Sequence, residues 1–496
     1  MKKSFYLGVG LFAICFFLSF FPELLPENLP PTAIRMLGVT FLIAVFWLAE
    51  TIPIPATSII PLFLLPLLGI LASGDVASAY GSDIILLFMT GFFIATAIEK
   101  WNLHRRIALH IIKLVGTQPT RLILGFMIAT AALSMWISNA ATTLMMLPIA
   151  TAAIEQTEVV NPKSGISKTL GTGLMLGIAY GANIGGMGTP IGTPPNLVFL
   201  AQIEEAFPTL PSIAFLQWMI VGVPLVIIFI LLTWLYLTKV GVKLPREFSA
   251  STDGGYIDEE LKKIGKMSQA EKYVAILFAL TAFLWIFRSD ITIGSFTLTG
   301  WATYLGVSDF VKDTTVGAMI SVIMFLLPVK TEKGKQTKLI DWSTAVKIPW
   351  GILLLFGGGI AISKGFEASG LSQFFADNLQ TGLQGLSIIV SVVIVCIFMT
   401  FLTEFTSNTA VTTLMMPIFA TIAPIMQVNP HLLMWPAALS ASCAFMMPVA
   451  TAPNAIVYSQ NYFTIATMAK TGLILNLIGV ILVSLLINFV AIPMLN

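Results

Sequence analysis

The residues best suited to chemistry in this chain are two short polar phrases set in apolar sequence. Ser138-Asn139-Ala140-Ala141-Thr142-Thr143-Leu144-Met145-Met146 recurs as Ser407-Asn408-Thr409-Ala410-Val411-Thr412-Thr413-Leu414-Met415-Met416. Nine residues after Asn139 and Asn408 stand prolines, Pro148 and Pro417. A second phrase follows each copy, Thr193-Pro194-Pro195-Asn196 and Thr451-Ala452-Pro453-Asn454. Hydroxyls and carboxamide N–H groups donate to carboxylate oxygens, while backbone carbonyls and Asn oxygens ligate a small hard cation. Breaks in a helix add N-termini with partial positive charge and free N–H groups, an anion site without any basic side chain. No Lys or Arg lies in these segments, and Glu404, beside the second Ser-Asn, is the only carboxylate at such a tip.

Each feature has a plainer reading. A single Thr such as Thr130 ordinarily bonds the carbonyl one turn back or joins two helices, and lone Pro or Gly residues are ordinary kinks. Asn at membrane depth costs more, and its recurrence in one setting argues for a site. Gly357-Gly358-Gly359 lacks the strand–turn–helix context of a phosphate loop and reads as close helix packing. Catalysis finds no constellation: His104, His110 and His431 fall in interfacial or external segments without a nucleophile or metal-ligand partner at a recognisable spacing. Cys15, Cys396 and Cys443 have no disulfide or metal spacing and read as buried small hydrophobes. The expectation is a chain that is no enzyme, carries no cofactor and binds no nucleic acid.

The elements that position such phrases must be membrane helices. Hydrophobic residues make up 57% of the 496 positions and charged ones 10%, a balance foreign to soluble domains. Single crossings are expected at about 5–21, 35–50, 55–72, 84–100, 216–238, 272–287, 313–329, 348–363 and 470–492. Two longer segments, about 169–200 and 432–466, carry the Thr-Pro-Asn phrases as broken helices. The Ser-Asn phrases fall in segments 122–154 and 386–425, whose halves are too short to cross separately and read as re-entrant hairpins. Non-helical backbone at that depth must line a cavity or be buried in protein. The apolar run after Met1-Lys2-Lys3 resembles a signal peptide but lacks a small-x-small cleavage site, so it is read as a retained first helix.

Charge placement orients this layout. With the N-terminus cytoplasmic and the C-terminus external, only Arg35, Arg288, Lys312 and Lys364 of the 26 Lys and Arg residues fall outside the cell. The expected fold is an all-α polytopic protein of the cell membrane. It has about eleven transmembrane helices in two inverted repeats, each with a hairpin and a broken helix: an internally duplicated transporter with a central site. Residues 1–34 form the first helix and an external loop, 35–238 the first repeat, 239–271 a cytoplasmic linker and 272–496 the second repeat. The linker, with Asp253-Gly254-Gly255 and mixed charge from Asp258 to Lys266, reads as a solvated loop with a short amphipathic helix. Segment 102–116 reads as an amphipathic interfacial helix, either a topology anchor or a hinge arm.

At these residues, and at Trp47-Leu48-Ala49-Glu50-Thr51-Ile52-Pro53-Ile54-Pro55 and Phe356-Gly357-Gly358-Gly359, the chain resembles the divalent anion–sodium symporter family over nearly its whole length. The resemblance implies sodium symport of C4-dicarboxylates such as succinate, malate and fumarate, and possible related tricarboxylates, by an elevator motion in a homodimer. Carried over by motif, the anion ligands are Ser138, Asn139, Thr193, Ser407, Asn408, Thr409 and Thr451. One sodium takes Ser134, Ser138, Asn139 and the backbone of Gly192; the other takes Thr403, Thr406, Asn408 and the backbone of Ala450. Ala140 departs from the family's Ser-Asn-Thr pattern and removes one hydroxyl. A sodium-independent dicarboxylate exchanger and a sulfate carrier are the alternatives.

Overall fold

The computed structural model describes residues 2–26, 28–160, 166–210, 213–242, 255–293, 296–331, 334–383 and 387–491. Lys163, Lys243, Arg246, Lys333 and Asp253-Gly254, which entered the charge and linker readings, lie outside the described residues. Among the described residues, seven helices are long and apolar enough to cross a membrane: Pro31–Leu48, Ser73–Lys100, Phe215–Gly241, Gln269–Ile286, Trp350–Ala368, Asn408–Ile425 and Ile465–Ala491. Shorter apolar helices accompany them at Lys3–Leu18, Ile54–Leu67, Pro119–Ser134, Asp313–Leu326 and Ile388–Thr403.

The elements that build the site follow from their punctuation. The first hairpin pairs Pro119–Ser134 with Asn139–Val160, and the second pairs Ile388–Thr403 with Asn408–Ile425. Ser138 and Ser407 sit at the turns, where their hydroxyls accept from the backbone N–H of Ala141 (3.2 Å) and Ala410 (3.5 Å) and so start the return helices. The first broken helix runs Ile166–Gly185, breaks, and resumes at Pro194–Ala206; the second runs His431–Ala441 and resumes at Ala452–Tyr458. Prolines open both resumed segments, where a missing N–H costs no intrahelical bond.

Glycine lets these pieces touch backbone to backbone. A Cβ on Gly185 would stand 2.4 Å from the carbonyl oxygen of Ala131, so the first hairpin lies directly on its broken helix. The Gly357-Gly358-Gly359 run has the packing role read from sequence: added Cβ atoms there would meet Tyr80 at 2.2 Å, the Ser58 carbonyl at 2.8 Å and Thr413 at 2.2 Å. All three cysteines are free and buried.

Three expectations need revision. The crossing over 55–72 is shorter than expected, Ile54–Leu67, and it divides into the pieces Ile54–Thr57 and Ile60–Leu67, each opened by a proline in its first turn. The segment 432–466 stops at Tyr458, and the last long helix already begins at Ile465 with Thr464 as its cap. The chain is also not wholly helical. Strands Ile291–Ile293 and Phe296–Leu298 pair antiparallel, as do Pro328–Lys330 and Gln336–Lys338.

The amphipathic segment is helix Leu103–Val115, entered through Asn102 in a left-handed conformation (φ 57°). Leu103, Ala108, Leu109 and Ile112 form its buried face. Its basic face meets helix Gly255–Ile264 and the start of Gln269–Ile286 through Arg105–Glu260 (2.5 Å), Lys113–Asp258 (2.6 Å) and Arg106–Glu271 (2.9 Å).

Candidate functional site

The two hairpin turns and the two helix breaks converge on one cavity of about 630 Å³. Ser138, Asn139, Gly192 and Thr193 line it from the first half of the chain, and Thr406, Ser407, Asn408, Thr409, Ala450 and Thr451 from the second. Ser134 and Thr403, the remaining residues singled out from sequence, lie fully buried behind the turns. Trp47, Leu48, Ala49, Glu50, Pro349 and Ile352 also border the cavity, and no Lys or Arg is among its lining residues.

Behind each turn the same oxygen cluster forms. The Ser134 hydroxyl lies 2.6 Å from Asn139 Oδ1 and 2.8 Å from the Ala182 carbonyl. The Thr403 hydroxyl lies 2.5 Å from Asn408 Oδ1 and 3.1 Å from the Ala441 carbonyl. One hydroxyl proton cannot serve two acceptors fully, so each trio of oxygens is short of positive charge. Such a set has the oxygen chemistry that suits a small hard cation, and the Ala182 and Ala441 carbonyls in it belong to no sequence motif. Each comes from the end of a first segment of a broken helix, beyond the reach of any local motif.

The Thr-Pro-Asn phrases hold the breaks open. Asn196 Nδ2 donates to the carbonyls of Gly186 (2.9 Å) and Thr189 (2.8 Å). Asn454 Nδ2 donates likewise to Ala444 (2.9 Å) and Met447 (3.0 Å). Both asparagines are fully buried, so each satisfies carbonyls freed where the helix stops. Gly186 is held between the two phrases: a Cβ there would stand 3.0 Å from both Asn139 Oδ1 and Thr193 Cβ.

Glu404 corrects one expectation about the anion donors. Its carboxylate, 1% exposed, accepts from the backbone N–H of Phe445 (2.8 Å), Met446 (3.0 Å) and Met447 (3.0 Å), and from Asn476 Nδ2 (2.7 Å). The N–H groups at the second break are therefore taken by the protein's own carboxylate. In the first copy the equivalent position, four before the Asn, is Met135, whose carbonyl accepts from Thr189 at 2.5 Å. With those three N–H groups taken, the donors that face the cavity are the groups at the hairpin turns and the Thr193 and Thr451 hydroxyls of the breaks. The return helices Asn139–Val160 and Asn408–Ile425 aim their N-termini at the cavity, and their cap serines have hydroxyl protons to give.

A cavity of neutral donors, helix N-termini and oxygen trios, set among membrane-crossing helices, defines a multi-pass membrane transporter. The comparisons agree. A family model described as the sodium:sulfate symporter transmembrane region matches residues 2–495. The chain belongs to that family. It is 42% identical over 478 residues to the sodium-dependent dicarboxylate transporter SdcS of Staphylococcus saprophyticus, covering 95% of this chain and 88% of that one. It is also 42% identical over 470 residues to SdcS of Staphylococcus aureus, covering 94% and 87%. Two solved structures share the fold at low identity. The YdaH transporter of Alcanivorax borkumensis gives a TM-score of 0.54 at 14% identity over 84% of this chain and 87% of its own. MtrF of Neisseria gonorrhoeae, described within a class of antimetabolite efflux pumps, gives 0.53 at 12% over 83% and 82%.

Proposed function

We propose that this chain is a sodium-coupled symporter of C4-dicarboxylates such as succinate, malate and fumarate, with related di- and tricarboxylates within its range. The observation that carries this reading is the paired site, two copies of one donor-and-oxygen arrangement facing a cavity without a basic side chain. A dianion held there needs compensating charge, because uncompensated charge inside a membrane is costly. Two sodium ions supply it, one at Ser134, Ser138, Asn139 and the Gly192 backbone, the other at Thr403, Thr406, Asn408 and the Ala450 backbone. The anion is held by Ser138, Asn139, Thr193, Ser407, Asn408, Thr409 and Thr451. Each net positive charge carried inward then gains roughly 2.3 kcal/mol per 100 mV.

The transport cycle is an elevator. The hairpins and broken helices form two inverted repeats that move together against the remaining helices within a homodimer. The N-terminus is cytoplasmic and the C-terminus external, in a layout of about eleven crossings. The ion pairs support this orientation, since each joins segments that the charge distribution assigns to one side. Lys100–Asp341, Arg106–Glu271 and Lys113–Asp258 fall inside; Arg288–Asp313, Lys312–Asp83 and Lys364–Glu205 fall outside. In this layout Trp47 to Glu50, with Pro349 and Ile352, border the cavity at cytoplasmic ends of their helices.

The test is radiolabelled succinate uptake into proteoliposomes under an inward sodium gradient, against potassium or choline. Uptake that requires sodium supports symport. Uptake that ignores sodium but needs unlabelled dicarboxylate inside identifies an exchanger, and competition by sulfate alone identifies a sulfate carrier.

A further inference from the structure

Asn183 lies outside every motif discussed above, yet it is 1% exposed, borders the cavity, and reaches from one half of the chain to the other. It stands near the end of the first broken helix's first segment, Ile166–Gly185. Its Nδ2 has three acceptors of the second break within reach, Thr451 Oγ1 (3.2 Å), Asn454 Oδ1 (3.2 Å) and the Ala444 carbonyl (3.3 Å); because Ala444 already accepts from Asn454 Nδ2 at 2.9 Å, the two N–H groups of Asn183 go to Thr451 and Asn454. The amide orientation follows from its surroundings. Asn454 must present its NH2 to the carbonyls of Ala444 and Met447, which leaves its Oδ1 as an acceptor facing Asn183.

The consequence falls on Thr451. That hydroxyl already accepts from the backbone N–H of Asn454 at 3.2 Å, so the Asn183 donation occupies its second lone pair. Only its proton is left, and Thr451 borders the cavity. Thr193, the corresponding residue of the first half, makes no side-chain cap hydrogen bond, and no partner fixes its hydroxyl among the described residues. We propose that Asn183 is a positioning residue that turns the Thr451 hydroxyl into a fixed donor toward the bound anion, making the second half-site the rigid one. The first half-site, with Ala140 in place of a hydroxyl and no partner orienting the Thr193 hydroxyl, is the one that adapts to anions of different length.

This inference rests on Thr451 as an anion ligand, so its test treats the two separately. Succinate KM, maximal rate and the sodium concentration for half-maximal uptake are measured in proteoliposomes for Asn183→Ala, Thr451→Val, Thr193→Val and the doubles Asn183→Ala/Thr451→Val and Asn183→Ala/Thr193→Val. Loss of an oriented donor to a charged group raises KM about tenfold. Asn183→Ala is expected to do so with the maximal rate within about twofold, to add nothing to Thr451→Val, and to multiply with Thr193→Val. A purely structural role predicts equal multiplication in both doubles, and that result overturns the proposal. An unchanged KM in Asn183→Ala while Thr451→Val raises it also overturns it and leaves the anion site standing. An unchanged KM in Thr451→Val overturns both. If Asn183→Ala does not fold, near-isosteric Asn183→Asp replaces it. Its carboxylate draws the Thr451 proton away from the anion, so KM must rise at least as far, and a wild-type KM refutes the role.

Discussion

At the scale of single residues, the site is built from groups that each have one job left after folding. Ser138 and Ser407 spend a lone pair on helix capping and retain their protons; Asn139 and Asn408 spend Oδ1 on the oxygen trio and retain their amide hydrogens. In the proposed site each Asn therefore serves anion and cation together. Asn139→Ala and Asn408→Ala are each expected to abolish succinate uptake in proteoliposomes, and wild-type uptake in either variant removes that residue from the site. Ala140 occupies the position where the second half has Thr409, and both border the cavity. Ala140→Thr adds a donor near the anion, so succinate KM is expected to stay level or fall, by up to about tenfold for a bond to a charged group. Complete loss of uptake would show that the cavity is shaped differently at that turn.

At the scale of elements, irregular backbone is kept in place by dedicated partners. Glu404 holds three N–H groups of the second break, and Asn196 and Asn454 hold the carbonyls of both breaks. Close contact between helices does the rest. Gly185→Ala pushes a methyl group against the Ala131 carbonyl and is expected to cost about 1–3 kcal/mol through overpacking. A lowered unfolding temperature in detergent, with reduced uptake, is the measurement. A different element carries the pH prediction. The Lys100 ammonium, 2.7 Å from Asp341, holds that carboxyl well below the ordinary carboxylate range, with Ser343 and Thr344 helping. A depressed carboxylate contributes stability that is complete above its unfolded value near 3.9 and is lost as pH falls toward the folded one. Asp341→Asn is therefore expected to lower stability by about 0.5–1 kcal/mol, as partly exposed pairs do, equally at pH 7 and pH 5. A deficit already gone at pH 5 would contradict the assignment.

At the scale of the molecule, the question is what moves. Glu205, near the end of the first broken helix, pairs with Lys364 of helix Trp350–Ala368 at 3.3 Å. An elevator must separate these residues in the course of its cycle. The Glu205→Cys/Lys364→Cys variant, once oxidised, is expected to lose at least nine-tenths of its uptake and to regain it on reduction, roughly the tenfold effect of blocking a required step. Full transport by the cross-linked form would exclude relative motion of these two elements.

The sequence by itself determined which residues gather at the cavity. The Ser-Asn and Thr-Pro-Asn phrases are local, they occur twice, and polar helix breakers in apolar sequence have few places to go. It also determined the amphipathic helix at 103–115, whose buried and basic faces are a matter of spacing. The prolines from Pro53 to Pro66 are visible in the sequence, yet the stretch reads there as one crossing at 55–72, and only the structure shows its division into Ile54–Thr57 and Ile60–Leu67. Tertiary structure alone decided which partner each polar group finds. Glu404 reads in sequence only as the one carboxylate beside a Ser-Asn phrase until packing sets Phe445, Met446 and Met447 against it, and the carbonyls of Ala182 and Ala441 acquire meaning only when a hairpin lies on its broken helix. Asn183 sits 268 positions from Thr451. Hydrogen bonding is short-ranged and directional, so its consequences cannot be read until the chain has brought the two groups within about 3 Å.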